Sequence, residues 1–197
     1  MRFATTDADI RAALHTKRLQ KYRYAPNTLV VDELGLAHAK VRVDVAVING
    51  CVHGYEIKSS LDTLDRLPSQ IATYRRCLTK LTIICAPNHT TRVKMLAPKW
   101  CGIVEAEKGP RGGVHFQTIR RDRQNPDIEF DQLAHLLWRA EAAKLLSTFG
   151  VCEKILRRSR KELYRHLADH MTIAQMTASI REFMKARTEW RDLPTHA

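Results

Sequence analysis

Asp44, Glu56 and Lys58 lie within the run RVDVAVINGCVHGYEIKSS, and their residue types are those of a metal-dependent phosphodiesterase site. Two carboxylates can hold a hard divalent cation, and a nearby ammonium can stabilise negative charge on a phosphate or an attacking hydroxide. A lone acid in a strand is ordinarily a solvated surface group. Two acids and a lysine converging across one hairpin ask for a chemical reason.

The hairpin register decides whether they converge. Strand side chains alternate faces, so Val41, Val43, Val45 and Val47 are expected on one side and Arg42, Asp44, Ala46 and Ile48 on the other. A two-residue Asn49-Gly50 turn would set Asp44 opposite Tyr55 and put the acids on opposite faces. A three-residue Asn49-Gly50-Cys51 connection pairs Ile48 with Val52 and Asp44 with Glu56. It also gathers the four valines with Tyr55 and Ile57 on one apolar face. The three-residue turn is therefore the predicted one.

Around this hairpin the chain reads as an α/β core followed by helices. Thr6 or Asp7 is a cap for a first helix through Ile10, Ala13 and Leu14, and TLVVDELGL reads as a strand after Pro26. Leu64, Leu67, Ile71, Tyr74 and Leu78 carry helical spacing from Asp62 onward, with Pro68 implying a kink or a start near Leu67. KLTIICAP suits a buried central strand, Thr90 to Leu96 a short helix, and the segment around GPRGG two further strands. After Asn125-Pro126 the texture becomes helical. FDQLAHLLWRAEAAKLLSTFG reads as one helix, and Ser159 with Glu162 and Thr172 with Gln175 match capping boxes. The predicted division is a core over 1–125 and a helical extension over 126–197.

A chain of 197 residues with a formal charge of +12 favours an anionic partner, nucleic acid first; a basic protein kept soluble by self-repulsion is the plainer alternative. Five dispersed cysteines without a CxxC pair read as buried free thiols in a reducing cytosol. The amino terminus lacks the pattern of a secretory signal, and no apolar run reaches membrane-span length. A soluble, cytoplasmic protein is expected. Oligomeric state is not legible.

With these elements in place the chain resembles the PD-(D/E)XK nuclease superfamily: Asp44, an eleven-residue gap and Glu56-Ile57-Lys58, in an α-β-β-β-α-β order. Val43 stands where the usual proline would be. Gln70 and Tyr74, in QIATY twelve residues beyond Lys58, look like the QxxxY motif of the RecB-like branch. The wider stretch from VVDELGL to LLWRAE looks like a bacterial and phage family within that branch. The resemblance implies a restriction-endonuclease-like core with a mixed sheet flanked by helices, and hydrolysis of nucleic acid, DNA favoured, with Mg²⁺ or Mn²⁺.

By the same resemblance Asp44, Glu56 and the backbone carbonyl of Ile57 hold metal, with Glu33 as a third carboxylate. Lys58 assists the attacking water, while Gln70 and Tyr74 arrange the site and contact phosphate. Each has a plainer reading: strand acids paired with Arg42 and Lys58, a turn acid before Gly35, a core tyrosine beside a solvated glutamine. His38 reads as a surface histidine rather than a ligand. Arg75, Arg76, Arg120 and Arg121, with Arg123, are candidates for a DNA path, as are Arg157, Arg158, Arg160 and Lys161. Trp138 reads as a packing anchor. The alternative to a nuclease is a non-catalytic nucleic-acid-binding or partner-docking module, against which stands the intact set of acids and lysine.

Overall fold

The computed structural model describes residues 3–37 and 39–187; His38 lies outside them. The Thr6 hydroxyl accepts from the Asp9 N–H, the Asp9 carboxylate returns a bond to the Thr6 N–H, and α1 (Asp7–Ala13) starts there. Beyond Ala13 the helix widens into one π turn, Leu14–Arg18, closed by the Leu19 N–H on the Leu14 carbonyl at 3.0 Å. A short α2 (Gln20–Arg23) follows.

Six strands then form one mixed sheet in sequence order: β1 (Leu29–Leu36), β2 (Val41–Ile48), β3 (Val52–Lys58), β4 (Lys80–Cys85), β5 (Gly102–Lys108) and β6 (Val114–Arg120). β1-β2-β3 is antiparallel, β3-β4-β5 parallel, and β5-β6 antiparallel. The parallel steps need crossovers, supplied by α3 (Leu67–Cys77) and α4 (Thr90–Leu96). Pro68 sits in the first turn of α3, where a missing N–H costs no helical bond. The expected α/β class, with a mixed sheet flanked by helices, is what the chain adopts.

The hairpin turns as predicted: Ile48 faces Val52 and Val45 faces Tyr55, with Gly50 at φ 108°. The valines, however, do not share one face. Val45, Val47, Tyr55 and Ile57 pack with Ile10 and Ala13 from α1 and Leu14 from the π turn, whereas Val43 joins Leu67, Ile71 and Tyr74 of α3 on the other side. Alternation slips where Glu33 and Asp44 oppose one another. Glu33 adopts φ 53°, and the recorded pairing skips from Asp32–Val45 to Leu34–Val43. Strict two-residue alternation presumes unbroken extended backbone, and the left-handed residue interrupts it in β1, opposite the point where the β2 valines change face.

The C-terminal helices are α5 (Phe130–Ala134), α6 (Arg139–Ser147), α7 (Glu153–Leu156), α8 (Arg160–His170) and α9 (Ile173–Ala186). Both predicted capping boxes form at the starts of α8 and α9. The single helix expected from FDQLAHLLWRAEAAKLLSTFG is instead α5 and α6. The Leu137 carbonyl, which a continuous helix would bond to residue 141, accepts the buried Tyr164 hydroxyl at 2.7 Å. Trp138 turns extended and gives its N–H to the Glu141 carboxylate. The residue is 46 % exposed, with the Arg187 guanidinium over its ring, so it is no buried anchor. Leu133, Leu146, Leu163 and Met176 join the apolar cluster of α3 and the sheet. Cys77, Cys85 and Cys101 are buried, but Cys51 is only partly so and Cys152 is exposed. Among the described residues no helix is long and apolar enough to cross a membrane.

Candidate functional site

Glu56 lies on β3 between two paired strands, beneath α3, and is 1 % exposed. Its carboxylate is fully engaged. One oxygen accepts from the Lys58 ammonium at 2.6 Å and from the Gln70 amide at 2.7 Å; the other accepts from the Tyr74 hydroxyl at 2.6 Å. The four-residue spacing of Gln70 and Tyr74 delivers both to the same carboxylate. Tyr74 is fully buried, its oxygen also lies 2.8 Å from the Arg42 carbonyl, and burial followed by the Glu56 charge pushes its phenol up. The carbonyl oxygen of Gln70 is buried without a partner.

Asp44 belongs to a second, adjoining network. Its Oδ2 accepts from the Ile57 N–H at 2.6 Å, and its Oδ1 faces the Arg11 guanidinium at 3.3 Å. Arg11 also reaches the Asp44 carbonyl at 2.6 Å, Glu33 at 2.9 Å and Asp7 at 3.0 Å. Burial, then repulsion from Glu56, pushes the Asp44 carboxyl up to about 7, against the pull of the Ile57 amide and Arg11. Asp32 points elsewhere, to His15 at 2.8 Å.

The sequence thus brings its predicted residues together, but in another arrangement. Glu56, Lys58, Gln70 and Tyr74 form one closed cluster, and Glu33 and Asp44 are joined through Arg11. Ile57 enters through its N–H. Arg11 was not among the predicted site residues. Its bond to Asp7 follows the four-residue helical spacing and was legible; its reach to β1 and β2 was not.

A divalent cation does not fit this donor set as it stands. Such an ion needs several open oxygens, whereas these carboxylates already accept from a guanidinium, an ammonium, an amide, a phenol and a backbone N–H. Among the described residues no three His, Cys, Asp or Glu side chains are grouped to hold a metal. Lys58 has a structural task, neutralising a buried acid, so its presence beside two carboxylates does not argue for catalysis.

Most of the arginines expected along a nucleic-acid path have partners of their own. Arg75 pairs with Asp127 at 2.9 Å and Arg76 with Glu129 at 2.7 Å, both on the surface. Arg120 is turned inward onto the carbonyls of Cys101, Ala97 and Pro98. Arg121 stays exposed.

The profile of the family described as Bacteriophage P4 protein cII matches residues 2–193. Protein cII of Enterobacteria phage P4 is 29 % identical over 167 residues, which is 84 % of this chain and 60 % of that protein. The chain therefore spans about 60 % of the length of the curated relative it matches. No solved structure matches it. This family match overturns the PD-(D/E)XK and RecB-like reading, and with it the metal-dependent nuclease and hydrolase expected from Asp44, Glu56 and Lys58. Sequence spacing had captured a real cluster and misassigned its purpose; the phage affiliation stands. The chain belongs to the bacteriophage P4 protein cII family.

Proposed function

We propose that this chain is a non-catalytic nucleic-acid-binding module that works in the cytoplasm and favours DNA. The observation that carries the reading is charge: 33 Lys and Arg against 21 Asp and Glu, a surplus of +12. A surplus of that size raises the local concentration of polyanions and neutralises phosphates on contact. The closed Glu56–Lys58–Gln70–Tyr74 cluster supports the non-catalytic half, since it leaves Lys58 7 % exposed and its ammonium tied to its own acid.

Fluorescence anisotropy with a labelled duplex of arbitrary sequence, about three helical turns long, tests this. Binding is expected at low salt, in EDTA as in Mn²⁺, with the duplex recovered intact. Affinity should fall linearly on a log–log salt plot, by about 0.9 per phosphate neutralised. Absence of binding at low salt would overturn the nucleic-acid reading, and metal-dependent cleavage would overturn its non-catalytic half.

A further inference from the structure

Residues 153–165, spanning α7 and most of α8, carry six Lys and Arg against two Glu. All six cations (Lys154, Arg157, Arg158, Arg160, Lys161 and Arg165) are exposed. The two acids do not balance them. Glu153 meets Arg157 where both side chains are 81 % exposed, an arrangement worth little. Glu162 serves the Ser159 cap and reaches Arg158 at 3.1 Å.

The placement of these cations is not explained by the fold. α8 is held by its inner face, where Leu163, Tyr164 and Leu167 are buried. On the outer face of α8 Lys161 and Arg165 follow one another in a row at four-residue spacing, and Arg158 stands in the connection just before the Ser159 cap. Arg160 and Lys161 lie in the first turn of α8, where positive side chains oppose the helix dipole, so helix stability does not account for them. The row stops at the exposed Asp169, one turn further on. Arg139, at the start of α6, bonds the Leu156 and Arg158 carbonyls and pins the α7–α8 connection, which keeps the row in place. Tyr164, the aromatic residue of this stretch, is buried with its hydroxyl on the Leu137 carbonyl. It cannot stack on an unpaired base, so the chemistry the row offers is charge contact with phosphate.

We infer that this α7–α8 ridge is the surface on which the chain meets the sugar-phosphate backbone of duplex nucleic acid, without reading its sequence. The inference rests on the nucleic-acid reading above and adds where the contact is made and what form of strand it suits. Among the described residues Lys154, Lys161 and Arg165 have no side-chain partner, so their charge is available to a ligand.

The test compares two triple variants of equal charge change. One is Lys154→Gln, Lys161→Gln, Arg165→Gln on the ridge. The other is Arg92→Gln, Lys94→Gln, Lys99→Gln on and beside α4, also exposed. Neither should melt below wild type by more than about 2 °C, because all six are surface residues and such changes stay within about 0.5 kcal/mol. With a labelled random duplex near 0.1 M salt, the ridge variant should lose affinity on the order of ten- to a hundred-fold, and its salt slope should shrink by about 0.9 for each phosphate it no longer neutralises. The α4 variant should change little. Equal losses in both variants would show diffuse attraction and overturn the ridge while leaving nucleic-acid binding intact. A ridge variant that binds as wild type, or a clear preference of wild type for single strands, would overturn it as well. Failure of wild type to bind any nucleic acid would remove the broader reading and this one together.

Discussion

Lys58→Met separates a lysine that serves the fold from one kept free for a reaction. The ammonium sits 2.6 Å from a carboxylate that is 1 % exposed, and its own side chain is 9 % exposed. Methionine retains the apolar stem, so the change removes charge and opens little space. What remains is an ionised acid in the interior with only the Gln70 amide and Tyr74 hydroxyl as donors. Breaking a buried pair by removing one partner costs about 3–5 kcal/mol. For a chain of this size that corresponds to roughly 6–20 °C in Tm. Adding Glu56→Gln to Lys58→Met removes the stranded charge and should recover most of the loss, leaving the double variant within about 2 kcal/mol of wild type. Urea denaturation of wild type, both single variants and the double variant gives the coupling directly. A Lys58→Met protein within about 1 kcal/mol of wild type would refute the argument, because the ammonium would then have no structural task.

Asp44 should give the protein a recognisable pH signature. Its carboxyl titrates near 7 in the fold and near 3.9 in an unfolded chain, so the folded state holds the extra proton between those values. Stability from this group is therefore complete below about pH 4 and is lost as pH rises to about 7, by on the order of 3–4 kcal/mol. The difference between wild type and Asp44→Asn in urea unfolding at several pH values isolates it from the histidines; a difference that does not change with pH would contradict it. Millimolar Mg²⁺ or Mn²⁺ should move Tm by less than about 2 °C, since occupancy at or below half stabilises by only about 0.4 kcal/mol. A rise of several degrees that Asp44→Asn abolishes would instead make the carboxylates ligands.

Local chemistry wrote much of the fold into the sequence. Thr6, Ser159 and Thr172 cap their helices because a hydroxyl and an acid or amide three residues on satisfy the same two N–H groups wherever they occur. The Asn49-Gly50-Cys51 turn and the Ile48–Val52 pairing were legible from the demand that Asp44 and Glu56 meet, and the four-residue spacing of Gln70 and Tyr74 set them on one helical face, although periodicity alone favoured a core tyrosine beside a solvated glutamine. Tertiary structure decided what such patterns cannot carry. The break at Trp138 depends on Tyr164, far along the chain on α8, claiming the Leu137 carbonyl. The split of the valines falls at Asp44, opposite the left-handed Glu33 on the neighbouring strand, and no alternation pattern in β2 marks it. Above all, the acids and Lys58 have the same types and spacing whether they face an open cleft or one another. Only packing of α3 over β3, and of Arg11 against β1 and β2, closed that cluster, because a buried charge settles on whichever partner the fold brings within reach.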